Sequence, residues 1–271
     1  MTDYPPNFRD PEVVRRHIAK CYPKINPVYF TAFMARVFPT LPTAPTPPST
    51  TSAGSLVIDE SESLVFWLSM TDSNAQFPFL TYMQPTTVTA PLPINAKRYY
   101  DFDETRLIET SLGATTVPMT TPLKSFRAKF CQDTYYVYLD SRSYDKPLRD
   151  QFDMGRFGPD NTIQNVSQVD TFAFTRGTPS FVRPYWSGAK DPNASPAAAP
   201  PANDPRYVRY AFKAVNATSF QLICAGQDGD FGFDPTDTDV KVFNNGLNYS
   251  EGDKDNITNF SGGSTLGDSI P

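Results

Sequence analysis

Histidine, cysteine and long apolar runs are all scarce in this chain of 271 residues. The single histidine, His17, leaves a histidine-based catalytic triad or metal cluster with only one possible anchor. The three cysteines, Cys21, Cys131 and Cys224, are too widely spaced for a CxxC-type zinc or redox motif. Each has apolar or aromatic neighbours, which favours buried small hydrophobic side chains. We therefore expect no catalytic role for His17 or for any cysteine.

A surplus of positive charge is also missing. The chain has 24 Lys and Arg against 29 Asp and Glu, a net charge of −5. Without a basic patch to neutralise phosphates, nucleic acid is not an expected partner. No run of roughly 18 apolar residues and no signal peptide occur, as expected for a soluble chain or one whose anchoring segment has been cut away. Motifs of serine hydrolases, metalloproteases and nucleotide-binding loops are absent too, so the sequence offers no signature of these enzyme classes.

Proline is abundant, and it marks loops. The chain has 27 Pro and 14 Gly. A Pro/Thr/Ser-rich segment over residues 39–54 and a Pro/Ala/Asn-rich segment over residues 187–205 have no apolar period, so we predict two loop insertions. The length permits one large domain or two modest ones, and no internal repeat is evident. Our prediction is a single domain over residues 1–271.

Helical patterns are concentrated near the N-terminus. Asp10 followed by Pro11 and by apolar residues at a period near 3.6 predicts a helix over residues 11–21. Residues 26–37 are consistent with a second short helix. After the acidic residues 59–62, apolar side chains nearly all round predict a buried helix that contains Trp67.

Further along the chain the apolar period falls to two, which predicts strands. Two of these runs, residues 207–215 and 219–224, are separated by a loop of hairpin length, so we expect them to pair with each other. Helices first and antiparallel strands later indicate an α+β fold with long Pro-rich and C-terminal loops. The other predicted strands cover residues 98–102, 124–130, 135–139 and 172–174.

Acidic residues accumulate in the C-terminal loop region, residues 225–271. Nine Asp and Glu stand there against two Lys, so the segment has a charge of −7 and the rest of the chain +2. The apolar run 219–224 leads directly into a Gly/Asp loop at 225–232, and a second acidic cluster follows at 252–260. Carboxylates and free carbonyls at the end of a rigid strand are the ligands that Ca²⁺ needs. The alternative is a solvated acidic loop.

Several blocks of the sequence resemble one protein family. The chain is similar to bacterial type IV pilin-like proteins, in particular to type II secretion pseudopilins. The most specific blocks are SFQLICAGQDGDFG at 219–232 and DNITNFS at 255–261, and weaker ones are ESLVFWL at 62–68, YDFDETRL at 100–107 and YYVYLDSRSY at 135–144. The resemblance implies a long N-terminal helix packed on an antiparallel sheet, in a pilin-like head with a C-terminal loop that binds Ca²⁺.

The same resemblance implies a metal site and a role. By motif position, Asp228 and Asp255 match the ligand carboxylates of the family, with Asp230 and Asp253 as additional ligands and backbone carbonyls nearby. The implied protein is a non-enzymatic structural subunit of a pilus or type II secretion pseudopilus. Its partners are other pilin or pseudopilin subunits, in the periplasm or outside the cell. The family's apolar anchor helix, which would reach the membrane, is absent from this chain. We expect a truncation, and the alternative is a paralogue that has lost its anchor.

Two other functions fit the residue types. A secreted Ca²⁺-dependent module that binds carbohydrate or a surface partner would use the same acidic loop. An acid/base hydrolase would use paired carboxylates such as those of Asp101 and Asp103 or of the C-terminal cluster.

Overall fold

The structure, a computed structural model, places helices and small antiparallel sheets in two compact units. Described residues up to Arg127 belong to the first unit, and those from Ala128 onward to the second. The mixture of helices and antiparallel sheets confirms the α+β class. The single domain over residues 1–271 stays a prediction, and the predicted loop 39–54 lies outside the described residues. The described residues are 4–8, 10–38, 58, 60–86, 91–109, 122–129, 134–143, 172–173, 181–182, 184–190, 212–232, 241–246 and 249–270.

Helix α1 spans Pro11–Cys21 and begins where its sequence predicts. The Asp10 carboxylate accepts hydrogen bonds from the amides of Glu12 at 2.9 Å and Val13 at 3.2 Å. These bonds satisfy amides that have no carbonyl partner in the first turn of a helix. One face of α1, which includes Val13 and Ile18, is buried.

Helix α2 spans Pro27–Val37 and confirms the second predicted helix. Asn26 caps it in the same way as Asp10 caps α1, accepting from the amides of Val28 at 3.0 Å and Tyr29 at 3.1 Å. The hydroxyl of Tyr29 donates to the Met83 carbonyl at 2.9 Å in the protein interior. A polar tip is thereby satisfied while the ring is buried.

Helix α3 spans Ser63–Ser69 and is buried, as predicted. Trp67 belongs to the core, and its indole N–H donates to the Pro6 carbonyl at 2.7 Å. The ring of Phe66 lies among neighbouring aromatic rings at centroid distances of 5.1–6.0 Å, those of Phe8, Phe33, Trp67, Phe79 and Tyr82. The core of the first unit is completed by Val14, Ile18, Tyr29, Met34, Val37, Phe38, Ile58, Met70, Met83 and Leu123.

Two short antiparallel ribbons complete the first unit. Strand β1 (Thr71–Asp72) pairs with β2 (Ala96–Lys97), and β3 (Leu107–Glu109) pairs with β4 (Lys124–Phe126). The strand predicted at 98–102 is wrong, because those residues lie outside any strand. Their aromatic side chains suggested a packed sheet, yet the tyrosines at 99 and 100 are exposed.

The second unit is built mainly of strands. A three-stranded antiparallel sheet has the order β11-β10-β5, and β6 pairs with β7 and β8 with β9, again antiparallel. The strands are β5 (Val137–Asp140), β6 (Phe172–Ala173), β7 (Phe181–Val182), β8 (Trp186–Lys190), β9 (Phe212–Ala214), β10 (Phe220–Cys224) and β11 (Ile257–Thr258). The core of this unit consists of Val137, Leu139, Val182, Tyr185, Trp186, Ala214, Ile223, Ala225, Phe231, Val242 and Leu266.

The predicted pairing of runs 207–215 and 219–224 is wrong. Strand β9 pairs with β8, whereas β10 pairs with β5 and β11. The buried side chain of Gln221 explains the separation, because its amide donates to the carbonyls of Tyr185 at 2.8 Å and Val215 at 2.9 Å. Its own carbonyl accepts from the Tyr185 amide at 2.8 Å. One side chain thus joins the end of run 207–215 to the segment at Tyr185 and satisfies backbone groups of both.

Two further predictions concern the loop at residues 187–205 and the packing of helix α1. Residues 187–190, predicted as the beginning of a loop, form part of β8, and residues 191–205 lie outside the described part of the chain. Helix α1 belongs to the first unit and β9 and β10 to the second, so the packing of α1 on that sheet stays a prediction. None of the helices in the described ranges combines the length and apolarity needed to cross a bilayer.

Candidate functional site

The two acidic motifs meet because β10 and β11 are neighbouring strands. Cys224 lies opposite Ile257 in their antiparallel register. The chain that leaves β10 at Ala225 therefore lies beside the chain that enters β11 after Asn256. We call residues 225–232 and 250–256 together the C-terminal clasp. Its second half contains helix α4 (Glu251–Lys254), whose capping residue Ser250 is also part of the clasp.

The carboxylate of Asp255 closes the clasp over the turn at Gly226. Its Oδ2 accepts from the amides of Gln227 at 2.5 Å and Asp228 at 3.2 Å. A Cβ atom at Gly226 would lie 2.1 Å from the Asp255 Cγ and 2.3 Å from its backbone oxygen. The close approach therefore requires glycine at this position.

The loop beyond Gly226 is folded by its own aspartates. The Asp228 Oδ1 accepts from the Asp230 amide at 2.8 Å, and the Asp230 Oδ1 accepts from the Gly232 amide at 2.9 Å. Gly232 has a φ of +69°, in the region that favours glycine. Asp230 also lies against the second half of the clasp, because a Cβ at Gly252 would be 2.7 Å from its Cγ.

The carboxylate of Asp253 already has a cation as its partner. It is fully buried and accepts from the ammonium of Lys241, which is itself 2% exposed. The same oxygen accepts from the Tyr185 hydroxyl at 2.7 Å. The other oxygen accepts from the amide of Ser250 at 2.8 Å and from its hydroxyl at 2.9 Å. Both oxygens are thus engaged within the protein, which argues against Asp253 as a metal ligand.

Lys241 connects the network to the first half of the clasp. Its Nζ donates to the carbonyls of Gly232 at 2.6 Å and Phe231 at 3.2 Å as well as to Asp253. The ammonium protons therefore have acceptors, which a buried charge needs. Tyr185 extends the network by accepting from the Asn256 amide at 3.1 Å.

The electrostatics of the clasp differ between its surface and its interior. Burial raises the pKa of the Asp228 carboxyl, and the negative charges of Asp255 and Asp230 raise it further, against a hydrogen bond from the Asp230 amide that lowers it. In the interior, burial raises the pKa of Tyr185 well above its ordinary value, and the charge of Asp253 adds to the effect. The phenol of Tyr185 is therefore a proton donor at neutral pH.

The predicted metal ligands thus have different surroundings. Asp228 and Asp255 are brought together, whereas Asp230 faces Gly252 and Asp253 is paired with Lys241. The Oδ1 of Asp255 is buried and accepts no hydrogen bond from any described residue. A buried oxygen without a donor beside a second carboxylate fits an oxygen-seeking cation.

Other ligands would have to complete such a site. In the described part of the chain, no three carboxylate, histidine or cysteine side chains converge. Backbone carbonyls and water, which Ca²⁺ accepts readily, would therefore supply the remaining oxygens. The metal site stays a prediction with Asp228 and Asp255 as its side-chain ligands and Asp230 as a further candidate.

The sequence interpretation missed Lys241, Tyr185 and Asn256. A signal for Lys241 was present, since it lies between two valines in a segment where almost all charges are negative. A lysine in an apolar run is rarely buried without a partner, so an acidic partner could have been sought. Tyr185 and Asn256 had no comparable signal, because their contacts join residues about 70 positions apart.

His17 was expected to have no catalytic role, and this stays a prediction, although the structure places a thiol beside it. Its Nε2 lies 3.6 Å from the Sγ of Cys21, one turn further along α1. Cys21 and Cys224 are both free thiols, and Cys131 lies outside the described residues. This pair belongs to the first unit, whereas the clasp belongs to the second.

No model of a known protein family matches the chain, and neither does a curated protein or a solved structure. The resemblance to pseudopilins therefore rests on the sequence motifs alone. The geometry of the clasp is independent of that resemblance, because it follows from strand register and side-chain contacts.

Proposed function

We propose that this chain is a non-enzymatic structural subunit of a pilus or type II secretion pseudopilus, with a C-terminal loop closed by Ca²⁺. In this proposal it packs with other pilin-like subunits at the cell envelope, in the periplasm or outside the cell. The observation that carries the proposal is the meeting of the two motif halves, Gly226–Asp228 and Asp255.

The fit of that contact to the motif supports the proposal. Within the motif halves that the resemblance selects, the residues in contact are Gly226–Asp228 and Asp255. Gly226 is required by the close approach of Asp255, and Asp255 binds the amides of the turn. Because one contact explains why these residue types occur together, the motif supports the proposal more strongly than sequence similarity alone would.

The charge distribution supports a cation in the same place. Burial is the main cause of the raised pKa of Asp228, and the negative charge of Asp255 adds to it, as expected for two carboxylates that repel each other. A bound Ca²⁺ would remove this repulsion and supply a partner for the buried Oδ1 of Asp255. It would thereby stabilise the loop that a subunit exposes to its neighbours.

Calcium titration tests the metal. We expect Ca²⁺ to release or absorb heat in isothermal calorimetry and to raise the melting temperature of the wild-type protein, because a ligand that binds only the folded state stabilises it. Asp255→Asn should abolish both effects. Glu251→Gln, an exposed acidic side chain in the same clasp, is the matched control and should leave both effects intact. Unchanged heat and melting temperature in the wild type would reject the calcium site.

The subunit role needs a separate test. We expect deletion of the gene in its native host to remove a filament or to stop the export of a secreted protein, and the wild-type gene to restore it. Antibodies against the chain should label that filament or the cell envelope in electron micrographs. Unchanged filaments and export together with an exclusively cytoplasmic signal would contradict the subunit role, whatever the calcium result.

A further inference from the structure

The structure brings a lysine amine and an aspartate carboxyl into contact in the interior of the second unit. The Nζ of Lys241 donates to the Oδ1 of Asp253, and the two side chains are 2% and 0% exposed. We propose that this pair condenses within the folded protein to an amide between the Nζ of Lys241 and the Cγ of Asp253, so that Lys241 is covalently cross-linked to the clasp. This inference does not depend on the filament role or on calcium.

The surroundings of the pair keep bulk water away from it. Tyr185 and Asn256, which extend the network, are 1% and 0% exposed. The backbone of Gly232 packs on the carboxyl, because a Cβ at that position would collide with the Cγ of Asp253. Burial favours the condensed product, since one neutral amide replaces two charges that are costly to bury. Exclusion of solvent also protects that product from hydrolysis.

The oxygen that would remain in the amide is held by two donors. The Oδ2 of Asp253 accepts from the amide of Ser250 at 2.8 Å and from its hydroxyl at 2.9 Å. Negative charge accumulates on this oxygen when an amine adds to the carboxyl carbon. Donors that are already in place at such an oxygen stabilise the tetrahedral intermediate of acyl transfer.

The oxygen that would leave has a separate donor. The hydroxyl of Tyr185 donates to the Oδ1 of Asp253 at 2.7 Å, and the Asn256 side-chain amide donates to the Tyr185 oxygen at 3.1 Å. Burial raises the pKa of Tyr185 well above its ordinary value, so the phenol keeps its proton. A donor at the leaving oxygen assists its departure as water.

The amine is held beside the carboxyl by backbone carbonyls. The Nζ of Lys241 donates to the Gly232 carbonyl at 2.6 Å and to the Phe231 carbonyl at 3.2 Å. Fixing two reacting groups in contact removes the entropic cost of bringing them together. The amide N–H of the product could still donate to one of these carbonyls, so the cross-link leaves the nitrogen with an acceptor.

The step balances within the pair. Two protons of the ammonium move in turn to the Oδ1 of Asp253, one before and one after the nitrogen adds to Cγ. The bond between Nζ and Cγ forms, the bond between Cγ and Oδ1 then breaks, and Oδ1 leaves as water. Oδ2 becomes the amide oxygen and Nζ keeps one proton. No oxidant, reductant or activating co-reactant is needed.

Mass spectrometry of the full chain tests the cross-link. The protein is incubated at neutral pH and unfolded in denaturant before the measurement. We expect a mass that is lower than that of the sequence by one water molecule. Trypsin should not cut after an acylated Lys241, so residues 214–254 should remain one peptide that lacks one water molecule. Fragmentation should confine the loss to the stretch between Lys241 and Asp253.

Two lysine variants separate this pair from an exposed one. Lys241→Arg keeps the positive charge but removes the nucleophile, and it should restore the full mass. Lys254→Arg is the matched control, because Lys254 contacts Glu251 at 2.6 Å in the same clasp but both side chains are exposed. It should keep the loss of water. A wild-type protein with the full mass of its sequence would overturn the proposal, and so would a loss of water that persists in Lys241→Arg.

The rate of cross-linking tests the donors. The fraction of cross-linked protein is followed by mass from the moment of cell-free synthesis. Ser250→Ala removes one of the two donors to Oδ2 and should slow the reaction by about tenfold or more, whereas Lys254→Arg should not change the rate. An unchanged rate in Ser250→Ala would overturn the role of Ser250 in positioning the carboxyl. If that variant does not fold, the masses of the wild type and Lys241→Arg decide the proposal.

Discussion

The aromatic core of the first unit and the C-terminal clasp of the second are stabilised by opposite kinds of interaction. In the first, the rings of Phe33 and Phe79 stack at 4.2 Å around the buried Phe66. In the second, a buried lysine–aspartate pair, Lys241 and Asp253, joins loops that have few apolar side chains of their own. The stability of the aromatic core depends on the area of apolar surface that is removed from water. The stability of the clasp depends on whether its buried polar groups have hydrogen-bond or charge partners.

This difference determines how the stability of each region responds to an amino-acid substitution. An aromatic core loses stability in proportion to the volume removed, and its neighbours relax partly. A buried ion pair responds asymmetrically, because removing one partner leaves the other charged, buried and without compensation. The two tryptophans report on the regions separately, since Trp67 lies in the first core and Trp186 donates its amide N–H to the Lys241 carbonyl at 2.9 Å.

The largest effect is expected for Phe66→Ala. Removing a fully buried phenylalanine should lower the free energy of unfolding by about 4 kcal/mol. Urea unfolding followed by ¹⁹F NMR of 5-fluorotryptophan protein would show the resonance of Trp67 changing at lower urea than that of Trp186. Tyr100→Ala is the control and should cost no more than about 0.5 kcal/mol, because Tyr100 is 55% exposed. Equal costs for the two variants would contradict the central position of Phe66.

The next effect is expected in the other region, for Lys241→Met. The substitution keeps the length of the side chain but leaves Asp253 buried without its cation, which should cost about 3 kcal/mol. The resonance of Trp186 should respond first in the same ¹⁹F experiment. Adding Asp253→Asn to Lys241→Met should recover part of the loss, because the uncompensated charge is removed. If the double variant is less stable than the single one, the ion-pair explanation is wrong.

The two regions were also unequally predictable from the sequence. Helices α1 and α2 and the burial of Trp67 follow from local signals, namely the caps at Asp10 and Asn26 and a period near 3.6. The side-chain network of Lys241 could not be predicted, because its partners are joined only by the folded chain. The failure of the predicted hairpin has the same origin, since the Gln221 side chain satisfies groups in a distant segment.

The candidate site was predicted in part. Asp228 and Asp255, which the structure brings together, were selected by motif position in the resemblance to pseudopilins. Motif position could not distinguish carboxylates that face each other from one that faces a lysine. Asp253 and Asp255 are separated by one residue, yet the first is fully buried beside Lys241 and the second closes over Gly226.

A smaller effect is expected for Gly226→Ala, which tests closure of the clasp without changing charge. The added Cβ would collide with the Cγ and backbone oxygen of Asp255, and overpacking of this kind should cost about 2 kcal/mol. Hydrogen exchange at the Gln227 amide, which donates to Asp255, should become faster. Gly262→Ala is the control, because its Cβ would meet nothing within 4 Å and only its φ of +67° is unfavourable. It should cost about 1 kcal/mol and leave the Gln227 amide protected.

The smallest effect is expected for Asp228→Asn, and its sign depends on calcium. The pKa of Asp228 is raised in the folded state, chiefly because this largely exposed carboxyl loses part of its hydration, so the folded protein holds this proton more tightly than the unfolded chain does. Stability therefore falls as the pH rises above the unfolded value of about 3.9, and an asparagine, which does not ionise, escapes this loss. The amide oxygen of the substituted side chain can still accept from the Asp230 amide, as the carboxylate does at 2.8 Å.

Melting curves of the wild type and Asp228→Asn test this sign. Without metal at pH ~7 the variant should be the more stable by about 0.5 kcal/mol, a small value because Asp228 is exposed and its charge is screened, and the difference should vanish at pH ~3. With saturating Ca²⁺ the order should reverse, since only the wild type would gain the binding free energy. A variant that is less stable without metal would show that the Asp228 carboxylate stabilises the loop directly. The clasp would then need no cation, and its acidic surface would be explained by hydrogen bonds to the turn alone.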